Sequence, residues 1–422
     1  MRRGPGWLKG GATTPQVQLM TRLQKCLFFS LFLPFLLLTA WLPLVAQSNT
    51  RLLLAEGTGV PGHTGFFFSS FSSLAMNGKR EIVFLSSLKG PRNELRAVVK
   101  SSGVSFSVVA FQGLQAPIPK TSYDSFSAPS LNDAGVICFS AVLKDAEGNS
   151  SSAIIRLQGS GARAILSSDD SLPGTPGAPF LEFSAPLVNS QGNILLGARW
   201  GGSKPGTGLF LWTPRELRRL DLPAGFSPLP ADLLEPIFFS GDEAALARRG
   251  TSPQTALEQF FRALAVRSFQ EIQPPPDAAD TFPLLDARLG QPPVQLVLVV
   301  MEGDNVQTAL LPGDPSLPVM AKRIAGAPEI KPLARIEGQT TSAQDDIIFA
   351  AASLDAPDDL ALYQLAAGQV TRLTSPGEFT PFVAAAPGKA ILSLTGDSQQ
   401  TEAFIVPGSA AAGSAIYATS IP

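Results

Sequence analysis

The stretch FSAPSLNDAGVICFSAVL, residues 126–143, decides the fold, because it is the clearest copy of a unit that recurs along the chain. Within it Phe126, Pro129, Asn132, Gly135 and Phe139 fall in an order that returns as Phe183, Pro186, Asn189, Gly192 and Leu196. A third set, Phe71, Asn77 and Phe84, keeps the spacing with Arg80 where the glycine is expected. The asparagine follows the phenylalanine by six residues each time, and successive copies begin 55 and 57 residues apart. A recurrence at that interval marks a repeat architecture.

The spacing has a physical reason. Asn132 can fold its side-chain amide onto the backbone two residues on, and Gly135 can take the positive φ that reverses the chain, so Asn-Asp-Ala-Gly is expected to be a hairpin turn. The apolar run at 136–143 then reads as a buried strand. A second hairpin follows, with strands at 153–157 and 163–166 around a turn at Gly159-Ser-Gly161. Four short strands per copy are what one blade of a β-propeller needs. Pro129, Pro186, Pro236, Pro283, Pro332 and Pro381 follow one another at intervals of 57, 50, 47, 49 and 49 residues, and with the copy at Phe71 they make seven. The expected fold is therefore all-β, a seven-bladed β-propeller of four-stranded blades. Strand pairs at 208–212 with 217–220, and at 360–363 with 370–373, support the later copies.

Composition agrees. The 422 residues are 45% hydrophobic and only 16% charged, with 37 Pro and 38 Gly, which suits many buried strands joined by turns and argues against disorder. A net charge of −2 gives no basic excess for nucleic acid or an anionic membrane surface. The 27 phenylalanines against 3 tyrosines belong to packing, since facing sheets need flat apolar residues with no hydroxyl to satisfy.

The beginning of the chain reads as a targeting segment. Arg22 and Lys25 precede an apolar run at 27–46, and Gln47-Ser-Asn-Thr follows. A secretory signal over 1–46 is expected, with cleavage after Ala46 and with Met20 as an alternative start. An uncleaved anchor is the rival reading, because the run is long enough to span a bilayer. Cleavage would remove Cys26 and leave Cys138 as the one cysteine of residues 47–422, a buried small hydrophobe without a disulfide.

Residues 51–55 followed by Gly57-Thr-Gly-Val-Pro-Gly62 match residues 163–166 followed by Asp169-Asp-Ser-Leu-Pro-Gly174. The exported chain is therefore expected to begin with the last strand of a blade, completing the sheet built by the other terminus and removing an open edge. Residues 415–418 are an eighth candidate for seven outer positions. One segment resists the register: Leu257, Phe260, Phe261 and Leu264 fall at helical spacing behind Ser252-Pro253. The repeat instead calls for strands at 257–261 and 266–272, and strands are expected.

Asn132-Asp-Ala-Gly135-Val-Ile-Cys-Phe139 resembles the Asn-x-x-Gly-x-x-x-Phe motif of exported bacterial tandem-repeat proteins. Residues 189–196 depart from it by Leu for Phe, and residues 77–84 lack the glycine. The resemblance covers roughly residues 71–220, and it implies an exported repeat domain with no catalytic residue to carry over. Residues 347–374 are more distantly similar to blades of TolB-type periplasmic propellers, without that family's Asp-Gly turns.

Chemistry-bearing residues are few. His63 is the one histidine, set in a Pro-Gly-rich connector with no Gly-x-Ser-x-Gly elbow, and reads as a loop residue. Zinc sites of several His or Cys ligands are excluded in residues 47–422. The acidic pairs Asp169-Asp170, Asp345-Asp346 and Asp358-Asp359 are expected in loops, as solvated turn carboxylates rather than Ca²⁺ ligands. Trp200, Trp212 and Tyr363 can line a sugar-binding face, but aromatics in strand patterns are more often core.

The residues singled out are thus those of the repeat: Phe71, Asn77, Phe84, Phe126, Asn132, Gly135, Phe139, Phe183, Asn189 and Gly192. No catalytic residue, metal or cofactor is expected. The expected function is a monomeric, exported, non-catalytic binding or scaffold module of the bacterial cell envelope, holding a protein, peptide or glycan. It would touch the membrane only through an uncleaved first segment. The alternative is an envelope polysaccharide lyase or glycosidase whose site lies in a propeller channel.

Overall fold

The computed structural model describes residues 51–102, 105–223 and 233–240, and beyond these mainly the strands given below. Residues 1–50, which carry the expected signal, and residues 250–280, which carry the expected strands at 257–261 and 266–272, lie outside the described residues. Every regular element among the described residues is a β-strand.

The chain opens with β1 (Arg51–Ala55), the stretch expected to be a terminal strand. The first sheet follows as β2 (Phe67–Met76), β3 (Glu81–Lys89), β4 (Glu94–Ser102) and β5 (Ser105–Phe111), paired in that order. The second holds β6 (Thr121–Phe126), β7 (Ser130–Leu131), β8 (Ile137–Asp145), β9 (Ser150–Gln158) and β10 (Gly161–Ser167). The third holds β11 (Phe180–Phe183), β12 (Leu187–Val188), β13 (Ile194–Trp200), β14 (Gly206–Trp212) and β15 (Leu217–Arg219). In both, the first strand is in two pieces, with Pro129 or Pro186 in the gap, where a residue without an N–H costs the ladder nothing. The first sheet has no proline there. Its β2 runs on through a bulge between Ser72 and Ala75, and Ser73 takes a positive φ of 53°.

The strands β16 (Glu235–Ser240), β17 (Ala244–Arg249), β19 (Gln295–Glu302) and β20 (Asn305–Leu311) form the fourth sheet, while β18 (Thr281–Pro283) pairs elsewhere. The fifth contains β18, β21 (Met320–Lys322), β22 (Leu333–Thr341), β23 (Ile347–Ser353), β24 (Ala356–Ala366) and β25 (Gln369–Arg372). The last is built from β26 (Ser393–Gly396), β27 (Thr401–Val406), β28 (Ala415–Ser420) and β1.

The sheets number six among the described residues, where seven copies are expected along the whole chain. Two other expectations are corrected. The copies placed at Pro236 and Pro283 are not separate four-stranded units: β17 hydrogen-bonds β19 directly, and Pro283 itself lies in β18, which pairs with β21. Proline spacing misled because it marks only a gap in a first strand, and says nothing of which later strand completes the sheet. Asp358-Asp359, expected in a loop, lies within β24.

The last sheet uses both of the terminal candidates for an outer position. Its order is β26, β27, β28, β1, with Arg51 opposite Ala418 and Ala55 opposite Ala415. Glu56 tightens the junction: its N–H donates to the Ser414 carbonyl at 2.9 Å, and its carboxylate accepts the Ser414 N–H at 2.9 Å. Leu54 of β1 and Ile416 of β28 are buried with Phe68, Phe71 and Phe84 of the first sheet. The two ends of the described chain therefore meet in one sheet, and β1 covers an edge that β28 would otherwise leave open.

Cores lie between successive sheets. Along β8, Ile137, Phe139, Ala141 and Leu143 pack toward the first sheet with Val83 and Val98. The alternate Cys138, with Val136 just before the strand, packs toward the third sheet with Phe180 and Leu196. Side chains alternate across a strand, so one buried on both faces reads as the unbroken apolar run seen at 136–143. Neighbouring sheets touch through β2, which meets β26 on one side and β7 on the other, and through β22, which meets β26.

Candidate functional site

The repeat residues occupy equivalent places in the first three sheets. Phe71 packs edge-on against Phe84 with centroids 5.7 Å apart at 75°, and Phe126 against Phe139 at 5.6 Å and 76°. These are favourable T-shaped pairs of ring edge to ring face. In the third sheet Leu196 replaces the second ring, and Phe180 takes over, 5.4 Å from Phe183 and 5.5 Å from Phe210. The residue opposite the first phenylalanine is small each time, Ser86, Ala141 or Ala198.

The asparagines do more than close turns. Asn132 Oδ1 accepts the N–H of Val136 at 2.9 Å and Asn189 Oδ1 that of Asn193 at 2.8 Å, four residues on rather than the expected two. Asn77 Oδ1 accepts from both Lys79 and Glu81 at 3.0 Å. The amide groups then reach into the next sheet: Asn77 Nδ2 donates to the Asn132 carbonyl at 3.0 Å, and Asn132 Nδ2 to the Asn189 carbonyl at 2.8 Å. All three side chains are buried. The repeat spacing is thus the rung spacing of a ladder that stitches consecutive sheets together. Replacing Asn132 by Ala leaves the Val136 N–H and the Asn189 carbonyl without these partners, and is expected to cost about 2–3 kcal/mol in urea denaturation. An unchanged midpoint would contradict the ladder.

Gly135 and Gly192 end these turns at φ of 78° and 83°, each donating its N–H to the asparagine carbonyl three residues back. Arg80 makes the same bond at φ 62°, so it stands in the glycine's place as the spacing implied. A Cβ at Gly135 would meet Glu81 Oε2 at 3.5 Å and Lys100 Nζ at 3.8 Å, ordinary contacts. Gly135→Ala should therefore lose about 1–2 kcal/mol through the backbone alone, read as a lowered Tm.

Beside this turn Glu81 pairs with Lys100 at 2.7 Å and accepts from Asn77 Nδ2 at 2.8 Å. Partial burial opposes ionisation of Glu81, but the hydrogen bonds from Lys100 and Asn77 together with the positive charges of Lys100 and Lys79 outweigh it and hold its carboxyl below the usual range.

Sequence inspection missed a second recurrence, the serine after each phenylalanine. Ser127 Oγ accepts the N–H of Ser140 at 2.9 Å, and Ser184 Oγ that of Gly197 at 2.8 Å, so each hydroxyl satisfies a donor where the first strand is interrupted. The signal was visible as Phe-Ser at residues 71–72, 126–127 and 183–184.

The other candidates take structural places. Trp200 is 5% exposed, donates Nε1–H to the Lys204 carbonyl at 3.0 Å and lies under the Arg219 guanidinium at 4.7 Å. Tyr363 is buried and stacked on Phe349, and Trp212 packs on the third-sheet core. His63 rests edge-on against Phe111 at 5.3 Å. Cys138 is fully buried, which pushes its thiol far above the usual range and leaves it inert. Asp170 accepts from Ser167 N and Oγ within its own turn. Asp345-Asp346 lies outside the described residues. Among the described residues no three His, Cys, Asp or Glu side chains gather as a metal site.

What remains is a cleft of about 180 Å³ lined by Ser70, Ser72, Leu85, Ser86, Ser87, Arg96 and Phe126. Cross-strand register builds it. Ser70 of β2 lies opposite Ser87 of β3, which lies opposite Arg96 of β4, so three polar residues form one row across the first sheet. Two residues along, the sheet is again apolar, with Leu85 opposite Val98. Phe126 of the second sheet forms the far wall. The Ser86 hydroxyl donates to the Ser70 carbonyl at 2.7 Å. The hydroxyls of Ser70, Ser72 and Ser87 and the Arg96 guanidinium take no partner among the described residues.

These features define a class: an all-β protein of antiparallel sheets, with its recurrent polar residues committed to structure and an uncommitted polar cleft between its first two sheets. Residues 42–212 match the model of a family of unknown function, DUF7453, a stretch that ends where β14 ends. No curated protein matches. Among solved structures, the chain is similar to a protein of unknown function from Dyadobacter fermentans at 10% identity, covering 88% of this chain and 99% of that one with a TM-score of 0.40. It is also similar to a Trypanosoma rangeli sialidase at 8% identity and TM-score 0.40, covering 88% of this chain and 58% of the sialidase. Aleuria aurantia lectin, solved with α-methyl-L-fucoside, is similar at 10% identity and TM-score 0.34, covering 84% of this chain and 97% of the lectin.

Proposed function

We propose that the chain is an exported, monomeric β-propeller of the bacterial cell envelope, its sheets standing as blades, and that it binds a ligand without transforming it. In this reading the seven-blade count of the repeat stands against six described sheets, and β1 closes the ring. Export rests on the apolar run at 27–46 and on the resemblance of the Asn132 to Phe139 motif.

The observation that carries the binding reading is the cleft between the first and second sheets. Its free hydroxyls and guanidinium are donors and acceptors suited to holding a polar ligand, and its lining includes no carboxylate, histidine or thiol to serve as general acid, base or nucleophile. The polar residues that recur, Asn77, Asn132 and Asn189, are already spent on the turns and on neighbouring sheets.

The test is a capture experiment. The protein, expressed from its full sequence and purified after export, is exposed to envelope extract of its source organism and to a panel of that organism's polysaccharides, and both retained partners and shortened products are analysed. A saturable partner recovered intact is the expected result. Cleaved polysaccharide would overturn the reading and make the chain a lyase or glycosidase.

A further inference from the structure

The first and third sheets differ at one row of equivalent positions, and the difference identifies the ligand chemistry. Counting from Phe71, Phe126 and Phe183, the row is Ser70, Ser87 and Arg96 in the first sheet, Ser125, Val142 and Ser152 in the second, and Glu182, Arg199 and Thr207 in the third. In the third sheet the arginine has its anion in the adjacent strand, with Arg199 Nη2 donating to Glu182 Oε2 at 2.7 Å. In the first sheet the arginine stands one strand further along the row, where the third sheet has Thr207; it lies opposite Ser87, with Ser70 beyond, and no carboxylate pairs with it among the described residues.

We infer that the cleft takes a ligand that supplies the missing carboxylate and carries hydroxyl groups beside it, an acidic sugar of the uronic acid class. The carboxylate sits on Arg96, where planar guanidinium and planar carboxylate match in two parallel hydrogen bonds. The ring hydroxyls exchange hydrogen bonds with Ser70, Ser72 and Ser87, each of which both donates and accepts. The apolar C–H face lies toward Leu85 and Phe126. A cleft of about 180 Å³ is of the size of one such ring and is too small to enclose a folded peptide. This inference rests on the binding reading above and deepens it.

The test uses the purified exported protein, the Arg96→Gln variant and a Ser70→Val/Ser87→Val variant, titrated calorimetrically with galacturonate and glucuronate oligomers, with the matching neutral oligomers and with a glutamate-rich peptide. Arg96 and Ser70 are exposed and Ser87 is half-buried, so unchanged thermal melting is expected and checks that the variants fold. Acidic oligomers should bind, more weakly at high salt, and Arg96→Gln should weaken them about tenfold or more. Equal binding of neutral oligomers, no effect of Arg96→Gln, or binding of the peptide alone would each overturn the inference. If no acidic oligomer binds while envelope extract still yields an intact partner, the acidic-sugar assignment fails and the binding reading stands. An extract that yields no partner removes that reading as well.

Discussion

Phe139→Ala is expected to destabilise the protein by about 3–5 kcal/mol, more than the loss of an asparagine from the ladder. The ring is wholly buried, stands 5.6 Å from Phe126 and 6.3 Å from Tyr123, and fills the space between the first two sheets with Val83 and Val98. Its removal leaves a void lined on both sides by sheets whose hydrogen bonds resist collapse, which is the situation in which a cavity is least relieved. The loss is a large share of the roughly 5–15 kcal/mol that holds a typical domain folded. The check is a urea denaturation curve, and a variant with the wild-type midpoint would contradict the register that places Phe139 opposite Ile155 and inside this core.

Gly197→Ala is the second large effect, by the opposite mechanism. An added Cβ would clash with the Leu234 carbonyl oxygen and lie 3.2 Å from Ser184 Oγ. The first of these is main chain of the segment leading into β16, so no side-chain rotation relieves it. The third sheet and that segment must separate, and the Gly197 N–H bond to Ser184 Oγ is put at risk with them. A cost of about 3 kcal/mol or more is expected. Comparison with Gly135→Ala divides the two causes: Gly135 has a positive φ and room for a methyl group, whereas Gly197 has no room. Equal melting of the two variants would contradict the close approach of Leu234 to Gly197.

Much of this was legible because local chemistry and repetition coincide. The bounds of β1 and the place of Arg80 followed from residues alone, since each repeats a pattern present in a clearer copy. The ladder was half legible. The recurrence of Asn77, Asn132 and Asn189 was plain, but that each amide donates to the next asparagine's carbonyl depends on how sheets abut. The pairing of β17 with β19 joins strands separated by residues 250–294, with β18 of another sheet between them in sequence, and no local pattern announces it. The cleft was invisible for the same reason: Ser70, Ser87 and Arg96 are scattered in sequence, and only the antiparallel register lines them up. Serine in a strand pattern otherwise reads as an ordinary polar position.

A ligand held between the first and second sheets must shield the strands that line the cleft, and hydrogen exchange of the protein with and without a captured partner reads that shielding strand by strand. Slowed exchange confined to β2, β3, β4 and the Phe126 end of β6 is the expected result. Protection centred elsewhere, with this region unchanged, would contradict the assignment of the cleft as the binding site.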